Sequence, residues 1–289
     1  MPAFEDKIPF YDRRRPLFET AGLPRDAQNR DVKFPHLQSL LSEEAVRDLI
    51  ASDDMQMPAP GDREGYFDDR HLEYWLSGYY DATRLKKLSD AICGPGQPVT
   101  CLDFGGCSGR VTRHLSRMPG FETWLCDINA IYVDWIDEYS TRNIRAFQNR
   151  PYPTLPFEAN SFDFVCAYSV FTHISEGELH WLLELRRIIR PGGAILLTIL
   201  DEATWDIART QDWLISSLAR GTEDARLRRD IAGDIPANRY VLRYSMNDVY
   251  NCNVFYRRRF LEAKWLPHFS AGEFISSGHA YQTCLILRK

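Results

Sequence analysis

The sequence predicts an α/β fold: a doubly wound, mostly parallel seven-stranded sheet with helices on both faces and a C-terminal antiparallel hairpin. Three observations carry this. From Pro98 to Leu200, short apolar runs alternate with helix-period stretches, the pattern of parallel strands joined by crossover helices. The first run, within "VTCLDFGGCSGRVTRHL" (99–115), stops at an acid, crosses three glycines and continues as a charged amphipathic stretch. Near the end, "PHFSAGEFI" and "AYQTCLILRK" are joined only by "SSG", which reads as a hairpin.

In chain order, residues 1–97 read as an N-terminal extension with helical lid segments. Its first 65 residues are rich in Pro, Asp and Arg, broken by one helix signal, "LLSEEAVRDLIAS", with Ser42 as N-cap and Glu43 and Glu44 in the first turn. From Asp68 to Ile92 the pattern is helical and aromatic, with Gly78 as a break and "CGPGQP" as a stop. Residues 98–289 read as the core. Strands are expected at Val99–Asp103, Thr123–Asp127, Ile144–Gln148, Phe162–Tyr168 and Ala194–Leu200, and helices start near Arg110, Ala130 and Glu176. The helix at 176–190 carries Ser175 and Glu178 as a capping-box pair, Leu179, Leu182 and Leu183 on one face, and "PGG" as its end. Residues 201–252 form a helical, charged insertion of the kind that serves substrate in α/β domains. From Asn253 a helix, "YRRRFLEAKW", leads to the hairpin.

Composition narrows the function classes. With 44% hydrophobic and 26% charged residues the chain is globular, and a net charge of −5 argues against a nucleic-acid partner. The short basic clusters Arg13–Arg15 and Arg257–Arg259 read as solvated faces. No apolar run reaches membrane-span length and the N-terminus is too polar for a secretory signal, so the expectation is a cytoplasmic protein with no membrane partner. Seven cysteines without a C-x-x-C pair or a Cys/His cluster read as reduced thiols, not disulfides or a zinc site. Oligomeric state leaves no signal.

Gly105, Gly106 and Gly109, placed between a strand and a helix, let backbone amides approach a ligand and leave a helix N-terminus facing it. The spacing departs from G-x-G-x-x-G, so a dinucleotide oxidoreductase is the weaker match, and the missing Lys-Ser or Lys-Thr excludes a P-loop. With Asp103, the pattern D-x-G-x-x-x-G resembles the first motif of class I S-adenosylmethionine-dependent methyltransferases. Three further stretches fall in that family's order: "WLCDIN" ending in the Asp127 region, "LPFEANSFDFVCAYSVFTHIS", and "LLELRRIIRPGGAILLTI".

The resemblance implies S-adenosyl-L-methionine as cofactor. By it, Asp103 and the Gly105 backbone orient the methionyl group, Asp127 grips the ribose hydroxyls, and Ile128 and Asn149 border the adenine. Gly106, Cys107, Ser108, Gly109 and Ser169 complete the cofactor set. Two simpler readings stay open: Asp103 as a helix cap and Asn149 as the start of the turn "NRPYP". The family's middle glycine is here Cys107, which is tolerable if that residue avoids positive φ.

In such a reaction the protein mainly aligns a nucleophile and, where necessary, removes its proton. His173, just past the fourth strand where ligand crevices open, is the candidate general base; a structural role in capping the next helix or packing under the insertion is the alternative. His71, Tyr74 and Tyr79, beside Tyr80, are candidates for binding substrate from the N-terminal side, against the alternative of an aromatic core face. The chain lacks a Pro-Cys dipeptide, an Asn/Asp-Pro-Pro-aromatic tetrapeptide and an Asp/Asn magnesium cluster. The expectation is therefore metal-independent methyl transfer to a small-molecule or glycan hydroxyl. Small-molecule N-methylation, a non-catalytic cofactor-binding protein and a dinucleotide-dependent protein are the alternatives.

Overall fold

Apolar, β-branched and aromatic runs become strands where they fill both faces of a buried sheet, and stretches with one apolar stripe become the helices that cover it. The computed structural model describes residues 20–23, 32–63, 65, 69–220, 223–243 and 250–289. Arg13–Arg15 lie outside the described residues.

One compact unit joins residues 1–99 to 105–149. In it β1 (Thr20–Ala21) pairs antiparallel with β2 (Met57–Pro58), and α1 (Pro35–Leu40) and α2 (Glu44–Ala51) lie between them in the chain. A single 3-10 turn at Pro60–Asp62 precedes the long helix α3 (His71–Cys93). The short α4 (Thr112–Leu115), β4 (Phe121–Asp127), α5 (Ala130–Tyr139) and β5 (Ile144–Gln148) complete it, with β4 and β5 parallel. Leu37, Val46, Ile50 and Met57 pack on Leu72, Trp75 and Leu76 of α3 as one apolar core.

Two expectations change here. Ser42 is not the cap of α2: its hydroxyl donates to Ser39 O at 2.6 Å, closing α1, and Glu43 takes the N-cap position. Gly78 does not break its helix. It sits inside α3, where a Cβ would stand 2.0 Å from the carbonyl oxygen of Arg110, so this glycine serves a close helix-to-backbone approach.

The other unit joins residues 100–104 to 150–289. It holds β3 (Val99–Phe104) from Thr100 onward, β6 (Phe162–Ala167), α6 (Glu178–Ile188) and β7 (Ile189–Ile199), with β3, β6 and β7 parallel. The insertion follows as α7 (Glu202–Ala208), α8 (Asp212–Ala219), α9 (Asp224–Asp230) and β8 (Arg239–Arg243), which pairs antiparallel with β9 (Cys252–Tyr256). It has its own apolar core, built on Trp205, Leu214, Leu218, Leu227, Tyr240 and Phe255. After α10 (Arg258–Lys264), β10 (Ala271–His279) and β11 (Gln282–Arg288) form the antiparallel hairpin, and β11 pairs antiparallel with β7. The strand order of the seven-stranded sheet is β10-β11-β7-β6-β3-β4-β5. This is the predicted α/β architecture.

Four local expectations in this unit are corrected. Ser175 and Glu178 form no capping box: Gly177, at φ +72°, is the N-cap, and the Glu178 carboxylate accepts from Arg239 Nη1 at 2.7 Å while Arg239 also donates to Ser175 O. A tertiary ion pair has replaced the local cap. The "PGG" run belongs to the start of β7, beginning three residues beyond the end of α6. "SSG" lies within β10, where the register shifts between Ile275 and His279, and the hairpin turns at Ala280–Tyr281 with Ala280 at φ +50°. The segment around Asn253 is a strand, not the start of a helix.

No described helix is long and apolar enough to cross a membrane. None of the seven cysteines is in a disulfide, and five of them are buried.

Candidate functional site

β4 ends at Asp127, and the loop after β3 folds against that end. The carbonyl of Cys126 accepts from Gly105 N at 2.8 Å and Gly106 N at 3.1 Å. Gly105 and Gly109 have φ of +71° and +80°, and Cys107 has φ +50°. The condition set for Cys107 therefore fails: it occupies the left-handed region, which costs an L side chain about 1–2 kcal/mol. Asp127 holds it there, its Oδ2 accepting from Cys107 N at 3.0 Å and its Oδ1 from Asn129 N at 2.9 Å. At Gly109 a Cβ would come within 2.6 Å of Ile136 Cδ1, so side-chain packing and backbone angle both call for glycine. Asn149 is buried and its amide donates to Asp127 O at 3.0 Å; the Ile128 carbonyl accepts from Gln148 Nε2 at 3.0 Å. Of the expected cofactor residues, Gly105 to Gly109 with Asp127, Ile128 and Asn149 thus meet within one unit at the carboxyl ends of β4 and β5.

Ser108 ties the loop to the N-terminal extension within the same unit. Its hydroxyl donates to Asp62 O at 2.9 Å and lies 3.3 Å from Tyr74 Oη. Burial pushes the Tyr74 phenol up to about 12. The Arg63 guanidinium lies 4.9 Å from the Tyr74 ring centroid and 2.6 Å from His71 Nδ1, which must accept because a guanidinium only donates. Tyr79 stacks on Trp75 with centroids 5.6 Å apart and meets His114 edge-on. Of the three N-terminal candidates, Tyr74 touches the loop, His71 is one residue removed through Arg63, and Tyr79 packs in the aromatic cluster.

The remaining candidates belong to the other unit. Asp103 is buried on β3, its Oδ1 3.5 Å from Cys166 Sγ. A hydrogen bond with Cys101, burial and the Asp103 charge push the Cys166 thiol well above its ordinary range. Ser169, two residues past β6, has φ +57°. Its amide donates to Thr198 Oγ1 at 2.7 Å, and its hydroxyl lies 2.9 Å from Gln282 Nε2. His173 is half-buried, with Nδ1 2.6 Å from the carbonyl oxygen of Cys252. It makes no cap to α6.

Sequence reasoning missed Asp62, Arg63, Thr198, Gln282 and Cys252. Each enters through a backbone carbonyl or a polar side chain brought from a distant segment, so no local pattern marks it. Among the described residues, no three His, Cys, Asp or Glu side chains gather as metal ligands.

No curated protein matches the sequence. Residues 102–197 match the family described as a methyltransferase domain. Among solved structures, the [4+2]-cyclase SpnF is 20% identical over 41% of this chain and 45% of its own, less than half its length, with a TM-score of 0.35. The PH0226 protein of Pyrococcus horikoshii is 16% identical over 72% of this chain and 90% of its own, with a TM-score of 0.48. The 1,6-didemethyltoxoflavin-N1-methyltransferase of Burkholderia thailandensis, solved with its substrate and S-adenosylhomocysteine, is 14% identical over 74% and 85%, with a TM-score of 0.43.

Proposed function

We propose, on the premise that residues 102–197 make this chain a class I S-adenosylmethionine-dependent methyltransferase, that it methylates a hydroxyl of a small molecule or glycan with His173 as general base. The residues of the glycine loop suit the cofactor. A carboxylate has about four lone-pair sites, so Asp127 can accept from a ribose diol as well as from the Cys107 and Asn129 amides. Asp103 and Gly105 would orient the methionyl group, and Ile128 and Asn149 would border the adenine. Ser169 would complete the cofactor set. When bound, the cofactor supplies a methyl carbon activated by a sulfonium leaving group.

The observation that carries the choice of hydroxyl is the contact of His173 Nδ1 with Cys252 O at 2.6 Å. A carbonyl only accepts, so Nδ1 carries the hydrogen and Nε2 is the basic atom of the neutral ring. An alcohol needs such a base because its proton must leave as the oxygen attacks; an unprotonated amine does not. Tyr74, with His71 behind it, would bound the acceptor from the N-terminal side. The Ser108 contacts with Asp62 and Tyr74 support a covering role for residues 1–97, and the Cys252 contact supports one for 201–252, over a core of 98–289.

The test is transfer of a labelled methyl from S-adenosylmethionine to panels of sugars, other alcohols and amines. His173→Ala should lower kcat on an alcohol about a hundredfold or more while leaving S-adenosylhomocysteine affinity intact. Transfer confined to amines, with His173→Ala at full rate, would overturn the assignment.

A further inference from the structure

The turn that carries His173 is held by one edge of β9, the strand in which the insertion ends. β9 pairs through its other edge with β8, in a register that sets Leu242 opposite Asn253 and Tyr240 opposite Phe255. Toward the turn, Val254 N donates to Thr172 O at 2.8 Å, Cys252 Sγ lies 3.2 Å from His173 O, and Tyr256 Oη donates to Ile174 O at 3.1 Å. These contacts come from residues 252, 254 and 256 of β9. Into this frame His173 Nδ1 donates to the Cys252 carbonyl. From within the turn, Thr172 Oγ1 donates to Ser169 O at 2.8 Å and His173 N to Val170 O at 2.9 Å. The left-handed backbone of Ser169 is fixed at the turn's start by Thr198 and Gln282.

We propose that Cys252 is a positioning residue for the reaction: its main-chain carbonyl fixes His173 as the Nδ1–H tautomer, its thiol holds the His173 main chain, and the acceptor's proton is thereby directed to Nε2. The inference rests on the reading of His173 as base. In the step assigned to the ring, the acceptor O–H bond breaks, its electron pair stays on oxygen, and the proton takes the Nε2 lone pair. The resulting imidazolium keeps its Nδ1–H on the Cys252 carbonyl, whose dipole favours the added charge, and returns the extra proton to solvent after transfer. The hydrogen bond to the carbonyl sets the direction of the ring. The insertion then contributes to catalysis through a backbone group that side-chain comparison cannot detect.

The experiment is ¹⁵N NMR of the histidine rings in the full chain, with the His173 signals assigned by their loss in His173→Gln. Nitrogen shifts separate a protonated from an unprotonated ring nitrogen without any turnover. The expected result for the neutral ring is a protonated Nδ1 and an unprotonated Nε2. In parallel, Cys252→Ala should lower kcat about three- to tenfold, the size of one lost hydrogen bond, with KM unchanged. Cys252→Ser, which restores a donor, should recover the rate. An Nε2–H ring, or Cys252→Ala with the parent kcat, overturns the proposal. An Nδ1–H ring combined with His173→Ala at full kcat refutes the base reading, and with it the catalytic half of the inference, while the tautomer stands.

Discussion

Asp127 shows how one side chain shapes a binding loop. Both of its oxygens accept main-chain amides, and one of those bonds keeps Cys107 in a backbone region that suits glycine. Replacing it with alanine removes the loop's anchor and the candidate ribose ligand together. Asp127→Ala should weaken S-adenosylhomocysteine binding by about 1–3 kcal/mol, read by calorimetry. An unchanged affinity would remove Asp127 from the cofactor site. Asp53 does comparable work away from the loop, buried with Arg113 Nη2 at 3.0 Å and Trp75 Nε1 at 2.6 Å. Burial alone would raise its pKa, but the Arg113 charge and the hydrogen bonds from Trp75 and Met55 prevail and lower it to about 2. Its folded value lies below the unfolded carboxylate value near 4, so its stabilisation is complete above about pH 4 and is lost as pH falls toward 2. Urea midpoints should therefore drop more steeply between pH 4 and 2 in the parent than in Asp53→Asn.

Among the elements, α3 carries the sharpest test of packing against propensity. Alanine is favoured over glycine within a helix by about 1 kcal/mol, and on that ground Gly78→Ala would stabilise the chain. The contact geometry says the reverse, since the new Cβ would lie 2.0 Å from a backbone oxygen that has nowhere flexible to go. The steric cost should exceed the propensity gain, giving a net loss of about 2–3 kcal/mol in denaturant unfolding. A stability equal to or above the parent's would mean that α3 and the Arg110 backbone separate easily. In α6 a local signal again loses to a tertiary one. Ser175 and Glu178 have the spacing of a capping box, yet Arg239 takes both the Glu178 carboxylate and the Ser175 carbonyl. The Arg239 guanidinium offers the Glu178 carboxylate a charged partner where the cap would have offered a neutral amide.

At the scale of the whole chain, each described unit joins an added segment to candidate residues of its own. In one, the 3-10 turn at Pro60–Asp62 and α3 reach the glycine loop through Ser108. In the other, the insertion reaches the His173 turn through β9. Hydrogen exchange with S-adenosylhomocysteine should slow residues 105–109 and, through Ser108, the segment from Met57 to Asp62. Slowing confined to 105–109 would show that the extension does not close on the cofactor loop.

The sequence by itself determined the order and kind of the elements from Pro98 to Leu200, and β5 even at its observed ends, Ile144–Gln148. Strand and helix periods are local, written by which side chains must face a core. It also determined the loop's glycines and the acid at the end of β4, because a strand end, a tight turn and a carboxylate leave marks in neighbouring residues. The tertiary structure decided what depends on a distant partner. Gly78 reads as a break until the Arg110 carbonyl stands beside it. Cys107 reads as a poor substitute for glycine until Asp127, twenty residues on, accepts from its amide. The ring partner of His173 has no mark in the sequence until Cys252, 79 residues away, accepts from its Nδ1. Periodicity records how much of a side chain is buried, but hydrogen bonds are directional and short, so their partners exist only once the fold has brought separate segments within about 3 Å.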